Sequence, residues 1–129
     1  MKKALAFTMF AVAGSMAPAA SAAQGAMKAP PSATRTVTGT VIDVSCKFGQ
    51  GLSGADHKMC SEVCADRGIP LAILGDDGKL YLATSAGMPG DGQNAKLKAF
   101  AEQKVTVTGK VFAAAGASAI QIDRIAAVR

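Results

Sequence analysis

Hydrophobic and polar positions alternate along 35–46, RTVTGTVIDVSC, where Val and Thr dominate, and the pattern predicts a strand. Residues 47–55 carry three glycines and read as a loop. In DHKMCSEVCADRG, Asp56 stands at an N-cap and Gly68 just past the end, so a helix of about three turns is expected over 56–67. IPLAILG and KLYLATS, joined by the turn DDG, predict a hairpin. After the Gly/Pro-rich AGMPGDGQ, a short helix is expected in NAKLKAFAEQ, with Leu97, Phe100 and Ala101 on one face. KVTVTGKVF and SAIQIDRIAAV, joined through AAAGA, predict the last two strands.

Two of these strands nearly repeat each other: TVTGTV at 36–41 and TVTGKV at 106–111. Val37, Gly39 and Val41 share one face, as do Val107, Gly109 and Val111, and a glycine inside a strand permits sharp bending or close backbone approach. Five short strands that must coil around a small core imply a closed or nearly closed barrel. The expected fold is mainly β: a five-stranded OB-like barrel with one helix before the fourth strand and an inserted Cys/His-bearing helix between the first two strands. On VTGTV, on LKAFAE before KVTVTGKV and on the closing AIQIDRI, residues 35–128 resemble a small secreted bacterial OB-fold protein. A fuller pattern runs through Val37, Gly39, Val41, Asp43, Cys46, His57, Cys60, Cys64, Gly68, Pro70, Ala72, Asp77, Gly78 and Tyr81. It is similar to a D-x-x-C…H-x-x-C-x-x-x-C type of short exported protein. That resemblance implies the fold and carries no activity.

The N-terminal residues change the setting. MKK, the apolar run ALAFTMFAVAGSMA and ASA at 20–22 have the plan of a secretory signal peptide, with cleavage expected after Ala22. The run is too short and wrongly flanked for a membrane span, no cysteine near the cleavage point suits a lipid anchor, and no later apolar run could span a bilayer. The expected organisation is a signal peptide at 1–22, a disordered linker at 23–34 and one barrel domain at 35–129. The expected compartment is the periplasm or the exterior. Removing Lys2 and Lys3 lowers the formal charge from +5 to +3, leaving twelve basic against nine acidic residues. The basic residues are scattered singly, and beyond the leader the aromatics are only Phe48, Tyr81, Phe100 and Phe112. Neither a basic stripe nor a stacking platform results, so nucleic acid is not an expected partner. A monomer is expected, free of membrane insertion, with a metal ion or another periplasmic protein as its partner.

All three cysteines and the only histidine lie within CKFGQGLSGADHKMCSEVC, residues 46–64. On a helix His57, Cys60 and Cys64 fall at i, i+3 and i+7, within roughly 60° of one another, and form one stripe. The glycine loop can bring Cys46 back to them. Three thiolates and an imidazole make a Cys₃His donor set suited to copper or zinc, so Cys46, His57, Cys60 and Cys64 are the candidate metal ligands. CSEVC is similar to the copper loop of cytochrome oxidase subunit II. There a histidine and a methionine follow the second cysteine, where this chain has Gly68 and Leu71, so that binuclear site is not reproduced. Copper chaperones of the Sco type also combine CxxxC with a histidine, on a thioredoxin-like fold for which this chain is too short. Met59 adds a soft side chain on another side of the helix. A c-type haem is disfavoured, since no histidine follows either cysteine in the required place.

Two other readings share these residues. Thiols in an oxidising compartment tend to pair. A Cys46–Cys60 bridge would close a loop of about 15 residues and stabilise by about 3 kcal/mol. Cys46 is also the better partner for Cys64, because two cysteines in one regular helix bridge poorly. The chain is then a disulfide-stapled structural or interaction module. Alternatively the cysteines are reduced core residues, with Met59, Cys60, Val63 and Cys64 as an apolar stripe facing the barrel. A thiol-redox role is a third possibility for function. For catalysis, Cys60 or Cys64 with His57 is the one nucleophile–base pair, and no third orienting residue or oxyanion loop accompanies it, so a non-enzyme is expected. Asp43 either orients His57 or bonds to loop backbone. Asp56, Glu62 and Asp66 read as the solvated side of a helix, and Asp76, Asp77 and Asp91 belong to turns. GMPGDGQ lacks the lysine of a phosphate loop.

Overall fold

The computed structural model describes residues 29–129; the leader and residues 23–28 of the expected linker lie outside it. Five strands close into a barrel in the order β1-β2-β3-β5-β4. They are β1 (Ser32–Asp43), β2 (Leu71–Gly75), β3 (Leu80–Ala83), β4 (Lys104–Ala114) and β5 (Ala117–Ala127). All neighbours are antiparallel except β3 and β5, which run parallel. The architecture is the expected OB-like barrel. Two helices, α1 (Val44–Gln50) and α2 (Lys58–Asp66), stand between β1 and β2, with a 3₁₀ turn at Ala55–His57 leading into α2. A short α3 (Asn94–Leu97) and a 3₁₀ turn at Lys98–Phe100 precede β4. Among the described residues no helix is long and apolar enough to cross a membrane.

The repeated segments pair with each other. Val37 lies opposite Val107, and on the outer face Thr36 meets Thr108 at 3.1 Å and Thr38 meets Thr106 at 3.4 Å through their hydroxyls. β1 pairs with β4 along Ser32–Thr40 and with β2 along Gly39–Asp43, so Gly39 marks the point where the strand passes from one partner to the other. A Cβ there would meet the Leu74 carbonyl oxygen and come within 2.7 Å of Gly75 Cα. Gly109 plays the same part against the Gln121 carbonyl, beside a bulge at Thr108/Gly109. Both strands coil hard enough that only a missing side chain lets the neighbouring backbone approach. The inward residues form one core, in which Val41, Leu71, Ile73, Leu97, Val105, Val107, Ile120 and Ile122 are essentially inaccessible. Each such side chain contributes about 1.5–3 kcal/mol on leaving water.

Several local expectations change. β1 begins at Ser32, because Ser32, Ala33 and Thr34 pair with Phe112, Val111 and Lys110; the barrel therefore takes in part of the expected linker. β1 also stops at Asp43, so Cys46 belongs to a helix and not to the strand end. The expected loop at 47–55 is helical up to Gln50. Asp56 makes no capping bond to α2. Gly68 does end that helix, at φ +85°, with its own N–H on Ala65 O and the Ile69 N–H on Cys64 O. This is a Schellman closure, which needs the left-handed residue glycine supplies.

In the β2–β3 hairpin the Tyr81 phenol donates to Asp77 Oδ2 at 2.7 Å, while Asp77 Oδ1 accepts from the Lys79 N–H. The phenol bond holds the Asp77 carboxyl below its usual range, and the same bond raises Tyr81 above the usual phenol value. A depressed carboxyl stabilises the fold above its unfolded pKa and loses this as pH falls through the folded value. A raised phenol stabilises below its unfolded pKa and loses this as pH rises. The stability difference between the native chain and Tyr81→Phe, from urea unfolding, is therefore expected to be greatest between about pH 5 and 9. It shrinks in acid and again in alkali; a difference independent of pH would contradict the pairing.

Candidate metal centre

The site begins with Asp43, the last residue of β1, which is fully buried. Its Oδ1 accepts the Cys46 N–H at 3.0 Å, an N-cap bond that starts α1 directly at the strand end. The bond sets Cys46 one turn into a helix with its side chain buried, and Gly51 then ends α1 in the left-handed conformation. Lys47 Nζ reaches Ser53 Oγ at 2.9 Å and ties down the connection to the next turn.

Two polar side chains from the β3–β4 connection anchor the rest of the insert. Glu102 is buried, at φ +58°; its Oε1 accepts from Ser61 Oγ at 2.6 Å and its Oε2 from the Gly54 N–H at 2.8 Å. Its backbone N–H bonds to Val41 O, so one residue links β1, the turn before His57 and the middle of α2. Asn94 clamps the other end of α2, donating to Ala65 O and Ile69 O while accepting from the Leu71 N–H. Lys98 adds an exposed ion pair with Asp66.

This framework brings Cys46, His57 and Cys60 together, their donor atoms all within 4.8 Å of one another. A second group, Asp43, Cys46 and Cys64, satisfies the same distance. The four candidate ligands thus divide between two groups that share Cys46, and Asp43 enters the second. Asp43 bonds to backbone, one of its two expected roles, and also faces thiols. Cys46 is buried, Cys64 partly buried and Cys60 exposed, and all three are free thiols. His57 Nε2 and Asp43 Oδ2 are buried without a hydrogen-bond partner. Buried polar atoms seldom stay unpaired, and a metal ion is one partner that resolves such an orphan.

The charges around Cys46 are coupled. Burial pushes the Asp43 carboxyl up, but the Cys64 thiol, the Cys46 N–H, the Cys46 thiol and the Ser45 N–H outweigh it and leave Asp43 below the usual range. Burial, then Asp43, raises the Cys46 thiol. Asp43 first, and burial second, push Cys64 up to about 12. In the metal-free protein these two thiols keep their protons, which suits neither a nucleophile nor a fast exchanging redox thiol. A cation at the site would reverse that balance, since metal binding displaces thiol protons.

The apolar stripe does not face the barrel. Met59 is 77% and Val63 45% exposed, and Phe48 on α1 is 70% exposed. Ser61 and Ala65 are the residues of α2 that turn inward, because Glu102 and Asn94 bind that side. Of the functional groups, Glu102 and Asn94 escape sequence reading: each is a polar residue in an amphipathic helical stretch, and its partners are more than twenty residues away. Asp43 carried a signal, as a lone carboxylate three residues before a cysteine.

Comparison with protein-family models, with curated proteins and with solved structures gave no match. The fold and the site themselves define an OB-like barrel that carries a Cys/His/Asp donor cluster on a helical insert between its first two strands.

Glu102→Ala would strand the buried Ser61 hydroxyl and the part-buried Gly54 N–H, and an unpaired buried donor costs about 1–3 kcal/mol. The expected loss is roughly 2–4 kcal/mol in urea unfolding, with faster hydrogen exchange at Gly54. Glu102→Gln is expected to cost much less, because its amide oxygen can keep Gly54 while the Ser61 hydroxyl turns to accept. Equal losses for the two variants would contradict the clamp.

Proposed function

We propose that this chain is an exported, non-catalytic binding protein for a soft metal ion, copper or zinc, with Cys46, His57, Cys60 and Cys64 among its ligands. One observation carries the reading. Cys46 on α1, His57 in the 3₁₀ turn and Cys60 on α2 come from three separate elements, yet their donor atoms converge within 4.8 Å. Sulfur and imidazole donors select copper and zinc over hard cations. The orphaned His57 Nε2 is what a ligand position requires before the ion arrives. Binding is favoured over catalysis because burial and Asp43 raise the Cys46 and Cys64 thiols, which leaves both poor nucleophiles until an ion displaces their protons. Export rests on the leader-like residues 1–22.

A second reading draws on the same convergence: Cys46 Sγ lies within 4.8 Å of both Cys60 and Cys64, so oxidation could join it to either one. The two readings separate on His57. If metal binding is the function, His57→Ala lowers copper or zinc affinity by more than about 100-fold, since even a residue behind a ligand costs 10–100-fold. Unfolding of the metal-free protein stays unchanged. If the staple is the function, His57→Ala has no effect, and Cys46→Ser lowers stability under oxidising conditions. Competition titration against a chelator, with thermal unfolding of both variants, decides between them.

A further inference from the structure

Cys46 belongs to two ligand groups, and the protein has one orphaned buried atom in each: His57 in the first, Asp43 in the second. A single ion seated among His57, Cys46 and Cys60 leaves Asp43 Oδ2 and the Cys64 thiol beside it unaccounted for. An ion seated among Asp43, Cys46 and Cys64 leaves the His57 nitrogen equally so. Resting on the metal-binding reading above, we propose that Cys46 is a bridging thiolate between two zinc ions, one completed by His57 and Cys60, the other by Asp43 and Cys64.

Charge points to the same pair. Three thiolates and one carboxylate carry four negative charges, the imidazole is neutral, and two divalent ions bring four positive charges. One divalent ion would leave one negative charge uncompensated, because a thiol it does not bind keeps its proton, and that charge falls beside the inaccessible Asp43 and the nearly inaccessible Cys46, where unbalanced charge is costly. Two Cu(I) ions held by all three thiolates would leave an excess of two. A carboxylate in the second group also suits zinc better than Cu(I), whose preference is for soft donors. On binding, each of the three thiols gives its proton to the solvent, and no oxidant or reductant is needed. Both ions then have three protein donors, and a tetrahedral zinc has room for a fourth from solvent.

The backbone supports a shared position for Cys46. Its N–H is held by Asp43 Oδ1, so one carboxylate oxygen fixes the bridging residue while the other is free toward the ion. Cys60, the exposed member, opens the first group to solvent and gives zinc a way in.

The test is zinc titration of the purified, fully reduced protein, read by native mass spectrometry. Two zinc ions per chain are expected. His57→Ala is expected to saturate at one, Asp43→Asn and Cys64→Ser each at one, and Cys46→Ser to retain neither ion tightly. Asparagine keeps the side-chain oxygen that caps α1. Cys64→Ser leaves Asp43 intact and reports on the second ion even if the Asp43 variant fails to fold. Saturation of the native protein at one zinc overturns the bridge and leaves the metal-binding reading standing. No zinc at all overturns the bridge, and no Cu(I) either in a parallel titration overturns the metal-binding reading as well. Two ions that survive both Asp43→Asn and Cys64→Ser place the second ion elsewhere and also overturn the bridge.

Discussion

A carboxylate without a cation, fully buried where a strand becomes a helix, is the constraint around which this molecule is arranged. Asp43 holds the first turn of α1 with one oxygen and presents the other, unpartnered, beside two thiols. Burying such a group is costly unless something answers it. In the metal-free protein the answer is partial: the Cys46 N–H bonds one oxygen, and the neighbouring thiols are raised, so they stay neutral beside the carboxylate. The same interaction stops β1, starts α1 and aims Cys46 at the donors of α2. Remove it, and the first link between barrel and site is lost.

The barrel fixes where that position falls. β1 serves two neighbours, β4 along its first part and β2 along its last, and Gly39 lets it bend between them. Its end is therefore delivered to a closed rim where α1 and α2 must stand on the barrel. Glu102 and Asn94 fasten them there from the segment that precedes β4, so the insert is held at its centre and at its exit. Polar side chains do this, and Met59, Val63 and Phe48 are left exposed on the outside of the same helices. Rigid support of this kind is what a preorganised ligand set needs.

Much of the barrel can be read directly from residues. Alternating Val and Thr mark β1 and β4, the glycine in each repeat marks the coiling, and the two repeats prove to be partners in one ladder. Gly68 shows where α2 ends for a reason that is purely local: its positive φ closes the helix. Local signals fail where a long-range bond decides. Three glycines at 49, 51 and 54 and the β-branched Val44 argue against α1, which forms because Asp43 caps it from a buried position. The stripe of Met59, Cys60, Val63 and Cys64 is apolar enough to suggest the core, but Glu102 and Asn94 hold the opposite side of the helix. The site is legible in part: the spacing of His57, Cys60 and Cys64 suggests one cluster, whereas the fold separates Cys64 toward Asp43 and makes Cys46 common to both groups.

Whether these thiols are ligands is decided by X-ray absorption at the zinc edge of the zinc-loaded protein. A mixed coordination shell is expected, with sulfur at about 2.3 Å and nitrogen or oxygen at about 2.0–2.2 Å. A shell of nitrogen and oxygen alone, with no sulfur scattering, would contradict it and return Cys46, Cys60 and Cys64 to a structural role.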